Sequence, residues 1–187
     1  MRHGRTVTVR AATVGDAAAI AGLHVRGWQR GYAGIVPADV LVRLDPAAWT
    51  ERRRRAIESN RSIMLVAAEG GAEGGTEGGT VTGFAEAGPA RRSQDWNDLD
   101  PVEGEVYAIY VDPTRWGTGA GRALMDATVA ALKAAGRSPV RLWVLDANDR
   151  ARRFYERYGF AADGATGRHT IPDGEVPTLR FTLPAAA

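Results

Sequence analysis

The sequence contains no cysteine and no long apolar run, and each absence removes a class of function; its single lysine is Lys133. Without cysteine there are no disulfides and no thiol nucleophile to carry a covalent intermediate. No apolar stretch approaches the roughly 18 residues that a membrane-spanning helix needs. The N-terminus, MRHGRTVTVR, is basic but lacks the apolar segment of a secretory signal, so a cytoplasmic protein with no membrane partner is expected. The three histidines, His3, His24 and His169, are too scattered to suggest a metal site, and no metal is expected. Arginine supplies nearly all of the 24 basic residues, yet 22 acidic ones hold the net charge to +2. That bias reads as the mark of a GC-rich genome rather than of nucleic-acid binding, because no stacking aromatics or recognised motif accompany it.

At 187 residues, 44% hydrophobic and 25% charged, the chain is expected to form one globular domain, 1–187, with a core over about 5–183. Residues 6–10, TVTVR, alternate like a strand. Thr13 and Asp16 can cap a helix in which Ile20, Leu23, His24, Gly27 and Trp28 recur at helical spacing until Gly31 and Gly34 end it. On that helix His24 is expected to be a satisfied, buried or half-buried residue. Short helices should start at Pro37 and at Asp45-Pro46, and the second carries Arg52, Arg53, Arg54 and Arg55, read as a solvated face. Strands at 63–68 and 81–87 flank EGGAEGGTEGGT, residues 69–80, a Gly-rich repeat expected to be a flexible hairpin loop. A polar, turn-rich segment, 88–104, then leads into the apolar run 106–111. Beyond it come a helix over 122–135, a strand over 140–145, a helix capped by Asn148 and stopped by Gly159, and a last strand in VPTLRFTL.

Residues 111–125, VDPTRWGTGAGRALM, carry the chemistry. A β-branched and aromatic strand is closed by Asp112-Pro113, and Gly117, Gly119 and Gly121 then precede an Ala/Leu-rich helix opened by Arg122. Glycines let a backbone approach a ligand, and the first N–H groups of a helix lack intrahelical partners. A phosphate or pyrophosphate is the natural guest of such a turn. It is not a P-loop, because Arg122-Ala123 follow the last glycine where Lys and Ser/Thr are needed. It is not a dinucleotide fingerprint either, since the third glycine position falls on Arg122 or Leu124.

The stretch resembles the acyl-CoA signature of the Gcn5-related N-acetyltransferases (GNAT), [QR]-x-x-G-x-[GA]. Gly119 and Gly121 match it, while Trp116 departs from it at the Gln/Arg position. A second block, Asn148 to Phe160 in NDRARRFYERYGF, matches that family's N-x-x-A-x-x-F-Y-x-x-x-G-F at every specified position. The resemblance implies an acyl-CoA N-acyltransferase fold: α/β, with a mixed, mostly antiparallel sheet of about seven strands flanked by about four helices. It implies acetyl-CoA as co-substrate, held by the backbone of Ile109, Tyr110 and Val111, by Trp116, Gly117, Thr118, Gly119, Ala120, Gly121 and Arg122, and by Asn148. It further implies a small-molecule amine as acceptor, with Trp28 and Tyr32 as candidate acceptor contacts whose simpler role is core packing. A protein N-terminus or lysine as acceptor, a non-catalytic CoA-binding role and a homodimer stay open.

Moving an acetyl group from a thioester to an amine needs a base for an ammonium of pKa about 10.4, donors for an oxyanion, and an acid for a thiolate of pKa about 8.5. Lacking cysteine, the chain is expected to use direct attack in a ternary complex. The resemblance implies that Tyr155 gives its proton to the thiolate and that Glu105 serves as base, with Glu86 or a water in reserve.

Overall fold

The computed structural model describes residues 7–70, 79–93 and 95–185; most of the repeat, 71–78, and the expectation of a flexible loop there lie outside them. The chain runs β1 (Val7–Ala11), α1 (Ala17–Gly31), α2 (Ala38–Val42), α3 (Pro46–Ser59), β2 (Ile63–Glu69), β3 (Thr80–Arg91), β4 (Leu99–Val111), α4 (Ala120–Ala134), β5 (Val140–Leu145), α5 (Asp149–Tyr158), β6 (Ala161–Ile171) and β7 (Gly174–Leu183). The seven strands form one sheet in the order β1-β2-β3-β4-β5-β7-β6, antiparallel at every pairing except β4 with β5. This is the acyl-CoA N-acyltransferase fold, with five helices where about four were expected, and the short helix expected at Pro37 is the five-residue α2.

Local signals set several helix ends. The Asp45 carboxylate accepts from the Ala47 and Ala48 amides at 2.9 and 3.3 Å, and Pro46 opens α3 behind it. Asn148 caps α5 through the Ala151 amide at 3.1 Å, and Gly159, at φ 119°, closes it. Along β2 the side chains alternate: Met64 and Val66 pack toward α1 with Ile20, Leu23 and Phe84, whereas Leu65 and Ala67 pack toward α4 with Ala85 and Leu124. Helices α1 to α3 thus cover one face and α4 and α5 the other. Two elements differ from the expectation. The 88–104 segment is mostly paired strand, extending β3 to Arg91 and opening β4 at Leu99. Polar β6 escapes the pattern because it is an exposed edge strand with no apolar alternation to betray it.

One register feature governs the rest. Parallel pairing of β4 with β5 covers only Gly104↔Val140, Glu105↔Arg141 and Val106↔Leu142. Beyond it β4 continues to Val111 beside β3, and β5 continues to Leu145 beside β7. The parting starts at a bulge: Ala87 pairs with Val106 and Glu86 with Ala108, leaving Tyr107 without a partner. A bulge bends its strand and sharpens the local twist. The sheet opens into a notch.

Close packing behind the notch is testable. A β-carbon at Gly83 would come within 2.9 Å of both Leu124 Cδ1 and the Tyr110 carbonyl oxygen. Gly83→Ala should therefore lower stability by about 1–3 kcal/mol in urea unfolding, and unchanged stability would mean that α4 does not sit this close to β3.

Candidate active site

The notch widens into a cavity of about 1200 Å³ that reaches from the glycine loop to the α1–α3 face. At its phosphate end, Asp112 accepts from the Thr114 amide at 3.0 Å and from Arg26 Nη2 at 2.9 Å, which fixes the exit from β4. Trp116 folds back and donates from Nε1 to the Val111 carbonyl at 3.0 Å. The guanidinium of Arg150 lies 3.7 Å from the centre of that indole. Gly117 and Gly119 have φ of 80° and 95°, and a β-carbon on either would meet nothing within 4 Å. Their freedom serves the turn, and their open side faces the cavity. The Ala123 amide bonds back to Gly119 at 3.0 Å, so the amides of Ala120, Gly121 and Arg122 precede the helical ladder, and no side chain caps α4. Free donors so placed, aligned with the positive end of the helix dipole, have the chemistry to hold an anion.

Tyr155, from α5, lines the cavity with its ring edge-on to Phe154 and Phe160. Burial, and after it the nearby Tyr110, raises its pKa above the ordinary phenol value, so the hydroxyl keeps its proton at neutral pH. Trp28 and Tyr32 also line the cavity, but their polar ends are engaged. Trp28 Nε1 donates to Tyr110 Oη at 2.9 Å, and the Tyr32 and Tyr110 hydroxyls share a bond of 3.0 Å. They form a structured aromatic wall.

The matches with known proteins accord with this geometry. The description Acetyltransferase (GNAT) family fits residues 38–160. The chain belongs to the GNAT family. An uncharacterized N-acetyltransferase of Bacillus subtilis (strain 168), YuaI, is 35% identical over 152 residues, 81% of this chain and 79% of that one. In fold, the chain is similar to the PaiA N-acetyltransferase of Thermoplasma acidophilum in complex with coenzyme A, with a TM-score of 0.67 at 17% identity over 94% of this chain and 98% of that one. It is similar also to yncA, a putative acetyltransferase from Salmonella typhimurium with acetyl-CoA, with a TM-score of 0.67 at 22% identity over 97% and 96% of the two chains. The protein is an acetyl-CoA-dependent acyltransferase. Its open amides at 120–122 and the unpaired reach of β4 fit the phosphates and the extended arm of that co-substrate.

Within this GNAT site the structure places Glu105, expected as the base, away from the cavity. Its carboxylate is fully buried and is not among the groups lining the cavity. The Arg91 amide donates to Oε2 at 2.8 Å, and Arg91 Nε and Nη2 both donate to Oε1, the first at 3.0 Å. Arg91, which does line the cavity, holds both oxygens of this carboxylate. The carboxylate that does line the cavity beside Ala108 is Glu86. It is bonded to Arg53 Nη1 and accepts from Ser62 Oγ at 3.1 Å. Asn148 lines the cavity too, although its side-chain oxygen is occupied by the α5 cap.

Reading the sequence also missed Arg53. Within the run of four arginines, Arg54 and Arg55 pair with Glu51 and Glu58 on the solvent side, as a wet face should. Arg53 points inward, 5% exposed, and donates from Nη2 to His24 Nδ1 at 2.8 Å. A guanidinium only donates, so the His24 proton resides on Nε2, which has no partner among the described residues.

Burial, reinforced by the charges of Arg53, Arg52 and His169, lowers the His24 pKa to about 3. Between that value and the unfolded pKa of about 6.5, the unfolded chain binds a proton that the native ring refuses. Stability contributed by the neutral ring is therefore complete above about pH 6.5 and falls by about 1.4 kcal/mol per unit on acidification. Urea unfolding between about pH 6.5 and 4.5 should give a steeper decline for the wild type than for His24→Gln. Parallel profiles would show that the native ring titrates normally.

Proposed function

We propose that this enzyme acetylates the primary amine of a small molecule by direct attack within a ternary complex. The observation that carries the reading is the continuity of the cavity, which joins the glycine loop, the unpaired part of β4, Tyr155 and Glu86 in one space. Both substrates can be present together, so no acyl-enzyme is required. The arm beyond Tyr110 is lined by Arg43, Arg52, Arg53, Arg91 and Arg168 against Asp45 and Glu86. Such a lining disfavours polyamines and lysine-rich peptide tails, which supports a small acceptor over a basic protein.

Acetyl-CoA, when bound, supplies an acetyl group activated as a thioester. Free amides at the start of α4 hold its phosphates, and the open edge of β4 offers backbone donors to the arm and to a developing oxyanion. Glu86 takes the proton from the acceptor ammonium, directly or through a water, while Arg53 and Ser62 fix its orientation. Tyr155, protonated at neutral pH, donates from its phenolic oxygen toward the departing sulfur. Trp28 and Tyr32 shape the acceptor wall through their shared bonds to Tyr110.

Three variants separate these roles. Gly119→Glu would set a carboxylate in the phosphate cradle and strain a φ of 95°, so the thermal stabilisation given by CoA should vanish. Retained stabilisation would remove the cradle from the CoA site. Tyr155→Phe and Glu86→Gln should each lower kcat by about 10²–10⁴ while leaving CoA affinity within about twofold. Only Glu86→Gln should regain rate as the pH rises, because free amine then needs no base. If Tyr155→Phe lowers the melting temperature and spares turnover, that tyrosine is a packing residue.

A further inference from the structure

We propose that the amine acceptor also carries a carboxylate, that Arg91 receives it, and that Glu105 is the positioning residue holding Arg91 in place. The proposal rests on the acetyl-transfer reading above and names the acceptor's chemical class.

Arg91 ends β3 with its side chain only 14% exposed, yet it lines the cavity. Three of its donors, the backbone N–H, Nε and Nη2, go to Glu105. Nη1 makes no hydrogen bond among the described residues, and it is not among the enclosed unpartnered atoms, so it is open to a ligand. Aromatic rings fix the plane: the guanidinium lies 4.4 Å from the centre of Trp96 and 5.3 Å from that of Tyr107. Those two rings meet edge-on at 4.7 Å. A guanidinium bonded to Glu105 through Nε and Nη2 and packed against two adjoining rings is held in one orientation, with the Nη1 edge left to present. That edge is the shape a carboxylate oxygen binds, by a charge-assisted hydrogen bond.

A buried ion pair is a weak stabiliser, because the desolvation of two charges offsets most of their attraction. Glu105–Arg91 is better explained by what it fixes at the cavity wall. The same ring that stacks on Arg91 also feels Glu86: burial raises the Tyr107 pKa, with Glu105 and Glu86 adding to the rise. Around Tyr107 the arm thus offers a carboxylate for an ammonium and a guanidinium for a carboxylate. Across the arm, burial and then the Arg91 charge lower the His169 pKa, so the facing histidine is neutral at pH 7 and leaves the anion to Arg91. An amino acid or a close analogue complements this pair of charges. A simple alkylamine satisfies only half of it.

The test measures acetyl-CoA-dependent thiol release with matched sets of acceptors: leucine, methionine and phenylalanine, each with its amide and its decarboxylated amine. The wild type should favour a free carboxylate by about tenfold or more in kcat/KM, the scale of one hydrogen bond to a charged group. Arg91→Gln should raise KM for the amino acid about tenfold relative to its amide, so that the preference for the free acid over the amide is lost. Glu105→Gln should move KM in the same direction and keep the wild-type shape of the kcat–pH profile. Equal use of acid and amide overturns the proposal. So does a reshaped pH profile with unchanged KM in Glu105→Gln, which would return that residue to the role of base. Should either variant not fold, the wild-type comparison of each free acid with its amide decides alone. A protein that binds acetyl-CoA but acetylates only the decarboxylated amines, or nothing in the panel, sinks the carboxylate proposal and leaves the CoA site standing. Failure to bind acetyl-CoA removes both.

Discussion

The separation of β4 from β5 after three paired residues is the constraint on which the rest of the molecule depends. Backbone N–H and C=O groups inside a sheet demand partners, and a strand that loses one neighbour exposes a row of them. Here the exposed row lies in the middle of a seven-stranded sheet, and in the function proposed above it receives an extended molecule. Pairing with β3 on one side and β7 on the other keeps both lips of the notch rigid. Fully buried Leu124, Met125 and Leu132 from α4 close it from one face. The helix that seals the notch also begins with the open amides of the glycine turn, so one element supplies both the floor and the free donors.

Charge inside the acceptor arm is managed by pairing. Glu86 is held by Arg53 and Ser62, and Glu105 by Arg91, so neither carboxylate is left uncompensated. Arginine suits these places better than lysine. Its planar fork bonds a carboxylate along one edge while its face lies on an aromatic ring. Arg91 does so with Trp96 and Tyr107, Arg53 lies near Trp49 and Phe84, and Arg150 stacks on Trp116. A composition with one lysine reads at first as a genomic bias, yet the fold uses the geometry that this bias provides.

Trp116 shows how a departure from a motif is absorbed. At the position where the family signature has Gln or Arg, its indole N–H ties the turn to the last carbonyl of β4. Its face then carries the guanidinium of Arg150 from the first turn of α5. A cation is thereby placed beside the glycine loop by a residue more than thirty positions away in sequence.

Much of this protein was legible in its residues because the relevant forces act over a few positions. Helix caps at Asp45 and Asn148, the stop at Gly159 and the glycine turn at Gly117 and Gly119 are set by neighbours within about four residues, and they could be read directly. Strand β6 was not legible, since an exposed edge has no buried face to impose alternation. Nor was the choice between Glu105 and Glu86. Periodicity tells which face of a strand a side chain takes, but not what lies on it. Glu105 is claimed by Arg91, 14 residues away, and Glu86 by Arg53, 33 residues away. The sequence by itself determined the family, the fold and the glycine turn that opens α4. Only the tertiary structure decided which carboxylate meets the cleft, because that depends on arginines brought in by the β3–β4 register and by the packing of α3 against α1.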